Sequence, residues 1–363
     1  MRNVIVHGVC TQNVGDDLFF HILKERYPHT RFVMFAPDVY KHILGKQKGW
    51  VIISESDFLY RSTSFVGRLF RLPSITLLYA YLLLKYQPKI FLFIGGSLFM
   101  EGKSNIATVI SGIRKMSPLS PNLKIAVIGA NYGPYKTELW KNKVETAIKL
   151  TDDVCFRDRM SYEEFSNMTH VRWANDIVIH LQADSSYKKE KIVCVNVRSV
   201  DNCPSLKAFK EKYINKVKEL VELFQCKGYS IRLLSFCKAY GDNEITDELY
   251  NSLSNKVGVE KYFYQGNLKM FIDLISNAEY MIGTRFHAII LGLLFKQKVL
   301  PISYSLKTEN MLRTYDLWNS IYDFSKFCSS DTDQLLEHFI EDISFDKNKN
   351  LMFSYLDTLL IDK

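Results

Sequence analysis

The chain has 363 residues, 47% of them hydrophobic, with 47 Lys+Arg against 39 Asp+Glu and a formal net charge of +8. That is ample for one large core and more naturally for two domains, and 17 Gly and 9 Pro are too few for a collagen-like or low-complexity chain. The positive excess lies at the front: residues 1–90 hold 12 Lys/Arg against 6 Asp/Glu, whereas residues 331–363 hold 3 against 8. Such a balance suits phosphorylated substrates or an anionic membrane face. Zinc-finger spacing, RNA-binding aromatic motifs and an arginine-rich tail are missing from the sequence, so no nucleic-acid partner is expected.

NVIVHG (3–8) reads as a strand running into a glycine rather than as a signal peptide. The loop that follows, HGVCTQNVGDD, leads into a helix over 16–27 that stops before Pro28. It lacks both the GxGxxG and the GxxxxGK[ST] glycine spacings, which argues against a dinucleotide fingerprint and a P-loop. Asn13 and Gly15 there can shape a tight turn, and Asp16 is either a helix cap or a carboxylate offered to a ligand. Strands are expected at 30–37, 49–56, 89–96, 124–130, 153–158 and 171–179, with a helix at 137–151. Between them, residues 65–86 are apolar but interrupted by Arg68, Arg71 and Pro73. The uninterrupted last part, SITLLYAYLLLKY, is only 13 residues, short for a membrane span, and the stretch reads as a core helix, a greasy acceptor site or a membrane-surface helix.

The polar stretch QADSSYKKEK (182–191) is the expected linker. The rhythm then restarts, with strands at 191–198, 229–236, 259–265 (an edge), 279–283 and 299–305, the last of these closing the set. Helices fall at 206–228, 241–255, 268–278 and 285–295. The expected organisation is α/β: two Rossmann-like domains, 1–184 and 190–325, facing each other across a cleft. A helical tail, 326–363, packs back on the body. The seven cysteines are scattered without a CxxC and suit small buried hydrophobes in a reducing compartment. Metal-hydrolase and serine-hydrolase motifs are missing, and no metal or cofactor is expected.

The polar residues of interest stand where strands end. TRFHAIILGL (284–293) places Arg285 and His287 in the first turn of a helix, with Thr284 as its cap. Unpaired N–H groups there favour an anion, arginine forks it, and histidine moves a proton. A surface arginine with a capping histidine is the plainer alternative. Gly95, Gly96 and Ser97 in IGGSLF, and Asn131 and Tyr132 in IGANYGP, stand in loops that can present N–H groups to a substrate, or in ordinary turns. Arg157 follows another strand and can pair with Asp158. Asn196 and Arg198 end the strand at 191–198; Tyr304 and Lys307 follow the strand at 299–305.

Taken in order, NVGDDL, IGGSLF, IGANYGP, FRDRMSYE, ANDIVI, TRFHAIILGL and ISYSLKTENML resemble the polysaccharide pyruvyl transferase family over roughly residues 3–325. The resemblance implies a GT-B-like fold and transfer of a pyruvyl group from phosphoenolpyruvate to a pair of sugar hydroxyls, forming a ketal during surface polysaccharide synthesis. The acceptor is a nucleotide sugar, a lipid-linked glycan or a polymer. It implies that Arg285 and His287 match the family's RxHA motif, Tyr304 and Lys307 its late tyrosine and lysine, and Asn13, Gly15 and Asp16 its NxGD element. The cysteine-containing GVCTQ departs from the family's usual loop. His287 is then expected as acid and Asp16 as base, with Arg285, Arg198 and Lys307 holding phosphate and carboxylate. A nucleotide-sugar glycosyltransferase, with Glu309 as its ribose carboxylate, and an inactive scaffold are the alternatives. The expected location is cytoplasmic, with peripheral membrane contact through 65–86.

Overall fold

In the computed structural model of the chain, the described residues are 2–70, 73–102, 105–182, 188–201, 203–315, 317, 322–341, 343, 345 and 351–361. Most of the expected linker, 183–187, lies outside them, as does Arg71. The chain forms two compact units: residues 1–10, 19–177 and 348–363 make one, and 11–18 with 178–347 the other.

The first unit holds a seven-stranded sheet of order β3-β2-β1-β4-β5-β6-β7. In chain order its elements are β1 (Asn3–Gly8), α1 (Val14–Arg26), β2 (Arg31–Phe35), α2 (Val39–Ile43), β3 (Trp50–Ile53), α3 (Phe58–Phe70), α4 (Ser74–Tyr86), β4 (Ile90–Ile94), α5 (Ile106–Met116), β5 (Lys124–Ala130), α6 (Glu138–Lys149), β6 (Asp153–Phe156), α7 (Arg159–Glu163) and β7 (Val171–Trp173). The first turn of α1, to Leu18, groups with the second unit. Every strand pairing is parallel. Parallel strands covered by helices on both faces read as unbroken apolar runs, which is why IFLFI in β4 is buried at every position. Ile5, Phe91, Phe93, Val127 and Phe156 sit at the centre of this core.

The second unit holds a six-stranded sheet of order β10-β9-β8-β11-β12-β13. Its elements are β8 (Glu190–Asn196), α8 (Pro204–Lys207), α9 (Lys210–Cys226), β9 (Ser230–Ser235), α10 (Asp242–Ser252), β10 (Val259–Phe263), α11 (Leu268–Ser276), β11 (Ala278–Gly283), α12 (Phe286–Leu294), β12 (Lys298–Ser303), α13 (Leu306–Thr314), β13 (Tyr322–Asp323), α14 (Phe324–Ser329) and α15 (Thr332–Leu336). These strands are parallel too. β10 is one edge, as its mixed composition suggests, and β13 is the other. The strand expected to close the set is followed by the two-residue β13. The helix expected over 206–228 is broken, because the Phe209 N–H bonds to the Leu206 carbonyl in a tight turn between α8 and α9. A last helix, α16 (Ser354–Leu360), groups with the first unit.

Two parallel-sheet α/β domains therefore build the protein. In each, the strand order reverses direction once: between β1 and β4, and between β8 and β11. Crevices beyond the carboxyl ends of strands at such points are where open α/β sheets hold ligands.

Candidate active site

In the second unit, β8, β11 and β12 are neighbours in the sheet. The loops after them carry Arg198, then Arg285 and His287, then Tyr304 and Lys307. The sheet thus gathers three cations that lie far apart in sequence. Gly283 ends β11, and Arg285, in extended backbone (φ −73, ψ 136), is the N-cap of α12. The expected cap, Thr284, is fully buried and shares a hydrogen bond of 2.7 Å with the Tyr213 hydroxyl. His287 is therefore the second residue of the helix and Arg285 stands just outside it.

Asn196 bonds within the fold. It is 0% exposed; its Nδ2 donates to the Leu234 carbonyl (2.9 Å) and its Oδ1 accepts from the Arg285 N–H (2.9 Å). It is a strut that fixes where α12 begins, a positioning role that the sequence does not display. Arg285 is buried and bonded through Nε and Nη2 to both carboxylate oxygens of Asp242, the first residue of α10. Burial pulls the guanidinium pKa down, but the Asp242 charge outweighs this and holds it above the usual arginine value. Nη1 is the nitrogen not bonded to Asp242, and the Tyr240 ring lies 5.2 Å from the guanidinium carbon. Asp242, Tyr240 and Tyr213 escaped sequence reasoning; an acidic residue after a strand and glycine was the only local signal for Asp242.

Arg198 is half-buried, its guanidinium 3.9 Å from the centroid of the Tyr304 ring. Its backbone N–H reaches the Tyr213 hydroxyl at 3.4 Å, and its buried Nε has no hydrogen-bond partner among the described residues. Lys307 is half-buried in the first turn of α13. Glu309 accepts from Ser303 Oγ at 3.4 Å.

The NVGDD loop joins this group, since residues 11–18 belong to the same unit. Asn13 Oδ1 accepts from the Gly15 N–H (3.1 Å), and its carbonyl accepts from the Asp17 N–H (2.9 Å), so Asn13 heads α1 and Asp16 is not the cap. The buried Asp17 instead accepts from the Tyr264 hydroxyl at 2.7 Å. A Cβ on Gly15 would lie 1.7 Å from His287 Nδ1, so backbone and imidazole are in face contact and only glycine fits. Asp16 is half-buried, and after burial itself its charge is the next influence raising the Tyr240 hydroxyl pKa. Asn13, Gly15, Asp16, Arg198, Arg285, His287, Tyr304 and Lys307 therefore share one unit, at or beside the carboxyl ends of adjacent strands.

The first unit makes its own cluster. Arg157 is buried, and it bonds to Asp176 (2.9 Å) and to Asn131 Oδ1 (2.8 Å) rather than to Asp158, which caps α7 by accepting from the Ser161 N–H. A Cβ on Gly96 would lie 2.5 Å from Arg157 Nη2. The N–H groups of Gly95, Asn131 and Tyr132 are spent inside the fold, on the Ile128 carbonyl, the Gly96 carbonyl and Ser161 Oγ. These three amides are thus not offered to a substrate, because the loops brace one another. Beside the cluster, where β1 and β4 part, a cavity of about 270 Å³ is lined by His7, Gly8, Ser97 and Asn105 among others. Burial lowers the His7 pKa to about 4, and its Nδ1 lies 2.7 Å from the Tyr79 hydroxyl. A larger depression of about 380 Å³ between Arg232 and α11 contains none of these motifs. No cluster of His, Cys, Asp and Glu able to hold a metal occurs among the described residues.

The geometry sets beside comparisons with known proteins. No curated protein matches the chain. Among solved structures it is similar to UDP-GlcNAc 2-epimerase from Methanocaldococcus jannaschii (10% identity, 99% of each chain covered, TM-score 0.61). It is also similar to UDP-GlcNAc 2-epimerase from Neisseria meningitidis, solved bound to UDP-GlcNAc (13% identity, 100% of each chain covered, TM-score 0.59). At such identities the likeness is one of fold, of GT-B type. The model of the polysaccharide pyruvyl transferase family matches residues 13–305, a span running from Asn13 through Arg285 and His287 to Tyr304. The chain belongs to the polysaccharide pyruvyl transferase family.

Proposed function

We propose that the protein transfers the pyruvyl group of phosphoenolpyruvate to two hydroxyls of a sugar, releasing phosphate and leaving a pyruvate ketal on a surface polysaccharide or its precursor. The observation that supports this reading is the convergence of Arg198, Arg285 and Lys307 after adjacent strands, beside a histidine braced against Gly15. Phosphoenolpyruvate carries a phosphate and a carboxylate, and cations at a helix start are the means to bind both.

In this reading Arg198 and Lys307 take the phosphate, and Arg285, preset by Asp242, turns Nη1 to the carboxylate. His287 delivers a proton to C3, which makes C2 electrophilic. Asp16 accepts the proton of the attacking hydroxyl. The second hydroxyl displaces phosphate at C2. Two hydroxyl protons leave; one is gained at C3 and the other departs with phosphate. No metal enters the scheme, because the side-chain cations neutralise the donor.

The acceptor is a glycan, and the first unit is its proposed side, with Ser97 and His7 lining the cavity there. The epimerase solved with UDP-GlcNAc makes a nucleotide sugar the first acceptor to try, before lipid-linked and polymeric glycans. We place the reaction in the cytoplasm, a setting that suits seven cysteines without a disulfide among them. No helix of the described residues is long and apolar enough to cross a membrane.

The test is mass spectrometry of candidate acceptors after incubation with phosphoenolpyruvate. A gain of one pyruvate less one water is expected with the native chain and is lost with His287→Ala. Undiminished transfer by His287→Ala overturns the proton-donor role. Thermal stabilisation by UDP-sugars but not by phosphoenolpyruvate overturns the donor itself in favour of a glycosyltransferase.

A further inference from the structure

Helix α3 is turned inside out. At about 100° per residue, Phe58, Phe65 and Leu69 fall within roughly a 40° arc of one another. That arc faces solvent: the three side chains are 86%, 72% and 69% exposed, and the neighbouring Val66 is 41% exposed. The opposite side carries the buried Gly67 and Tyr60, which stacks on Phe35 with ring centroids 4.8 Å apart. Leu59 and Tyr60 pack on the first unit's core. So α3 is anchored by its small and aromatic inner face while it holds its largest aliphatic and aromatic groups outward. On the following helix α4, Tyr81 and Leu84 are exposed as well, next to the exposed Lys85.

Every charged residue along α3 and α4 is a cation; Glu55 and Asp57, just ahead of α3, are the nearest acids in sequence, and Asp57 is paired with Lys41 at 2.8 Å. Arg61 and Arg68 are exposed and flank the arc on one side. From Phe58 to Met100 the sequence has Arg61, Arg68, Arg71, Lys85 and Lys89 and no Asp or Glu. A second copy of the chain is a poor occupant, because a two-fold contact sets the same patch against itself and brings arginine to arginine with no acid on either helix to separate them. An anionic bilayer surface meets both halves of the pattern. Acyl chains take Phe58, Phe65 and Leu69 at the headgroup boundary, and phosphates take the guanidinium groups.

We infer that α3 docks the protein on membranes containing anionic phospholipid, lying in the interface plane with the Phe58–Phe65–Leu69 stripe inserted. Docking is independent of the reaction proposed above, and its test needs no substrate. The full chain is spun down with vesicles of phosphatidylcholine, with and without phosphatidylglycerol. Binding is expected only with phosphatidylglycerol and weakens as salt is raised. The double change Phe65→Ser with Leu69→Ser is expected to lower the vesicle partition coefficient by roughly tenfold or more. Both sites are exposed, so the fold survives, and unchanged circular dichroism checks this. Arg61→Glu with Arg68→Glu is expected to abolish the preference for anionic vesicles. A Phe65→Trp variant reports insertion by a blue shift of its fluorescence. The native chain remaining in the supernatant, or the serine variant binding as well as the native chain, overturns the inference. So does a native dimer that the serine changes convert to a monomer.

Discussion

Gly15 has no side chain, and the imidazole of His287 occupies the volume that a Cβ would need. Two motifs separated by most of the chain are thereby locked in register at the imidazole proposed above as the proton donor. Gly15→Ala forces the ring to rotate away, because the clash is with Nδ1, Cγ and Cε1 at once. Transfer is expected to fall by about tenfold or more, in kcat more than in KM, since a reacting group displaced by an ångström costs that much. Steady-state kinetics beside a thermal melt checks it: a drop in activity with a melt near that of the native chain is the expected pair of results. His7 carries a different prediction. Burial holds its pKa at about 4, against 6.5 for an unperturbed histidine. Between those values the unfolded chain takes up a proton that the folded chain refuses. The stabilisation is whole above about pH 6.5 and is lost as pH falls toward 4, about 3 kcal/mol at most. Urea unfolding at stepped pH should show this loss in the native chain and a flatter profile in His7→Gln.

At the scale of elements, what sequence made legible was whatever is local. β1 at 3–8 and β5 at 124–130 match their expected bounds, because a buried parallel strand is a short apolar run closed by glycine. What stayed hidden depended on partners far along the chain. The strand expected over 171–179 ends at Trp173 because Asn175 and Asp176 are buried and Asp176 is bonded to Arg157. Sequence proximity pointed to Asp158 instead, but that carboxylate is spent on α7. Arg285 was visible as a candidate, whereas its partner Asp242, 43 positions away, was not. Nor was the burial of Asn196, which makes it a strut beneath the start of α12. Candidate site residues were therefore legible as positions after strands, and their division between binding, positioning and bracing was not. The region of α3 and α4 shows the reverse case. Its apolar content was plain in sequence, but only the fold tells which side of α3 faces out.

At the scale of the molecule, the chain begins and ends in the same unit. α16 returns to the first sheet's body, where Met352, Phe353, Leu356 and Leu360 are buried. Asp357 accepts from Arg26 Nε (3.0 Å) and from the Tyr27 hydroxyl (2.7 Å), which joins α16 to the end of α1. Lys89 Nζ donates to the Leu359 carbonyl at 2.9 Å, and Arg172 to the Met352 carbonyl at 3.2 Å. The segment thus caps a domain whose sheet was completed almost two hundred residues earlier. Phe353→Ala is expected to cost about 3 kcal/mol through the cavity it leaves. Asp357→Asn is expected to cost about 1–2 kcal/mol, because charge-assisted bonds from Arg26 and Tyr27 are weakened together. Since α16 groups with one unit, the loss should be local. Amide exchange in β1, β2 and β4 should speed up in Phe353→Ala while β8, β9 and β11 keep their protection. Equal loss of protection in both sheets would mean that the two units unfold as one, and that the C-terminal helix stabilises the whole chain rather than the domain it covers.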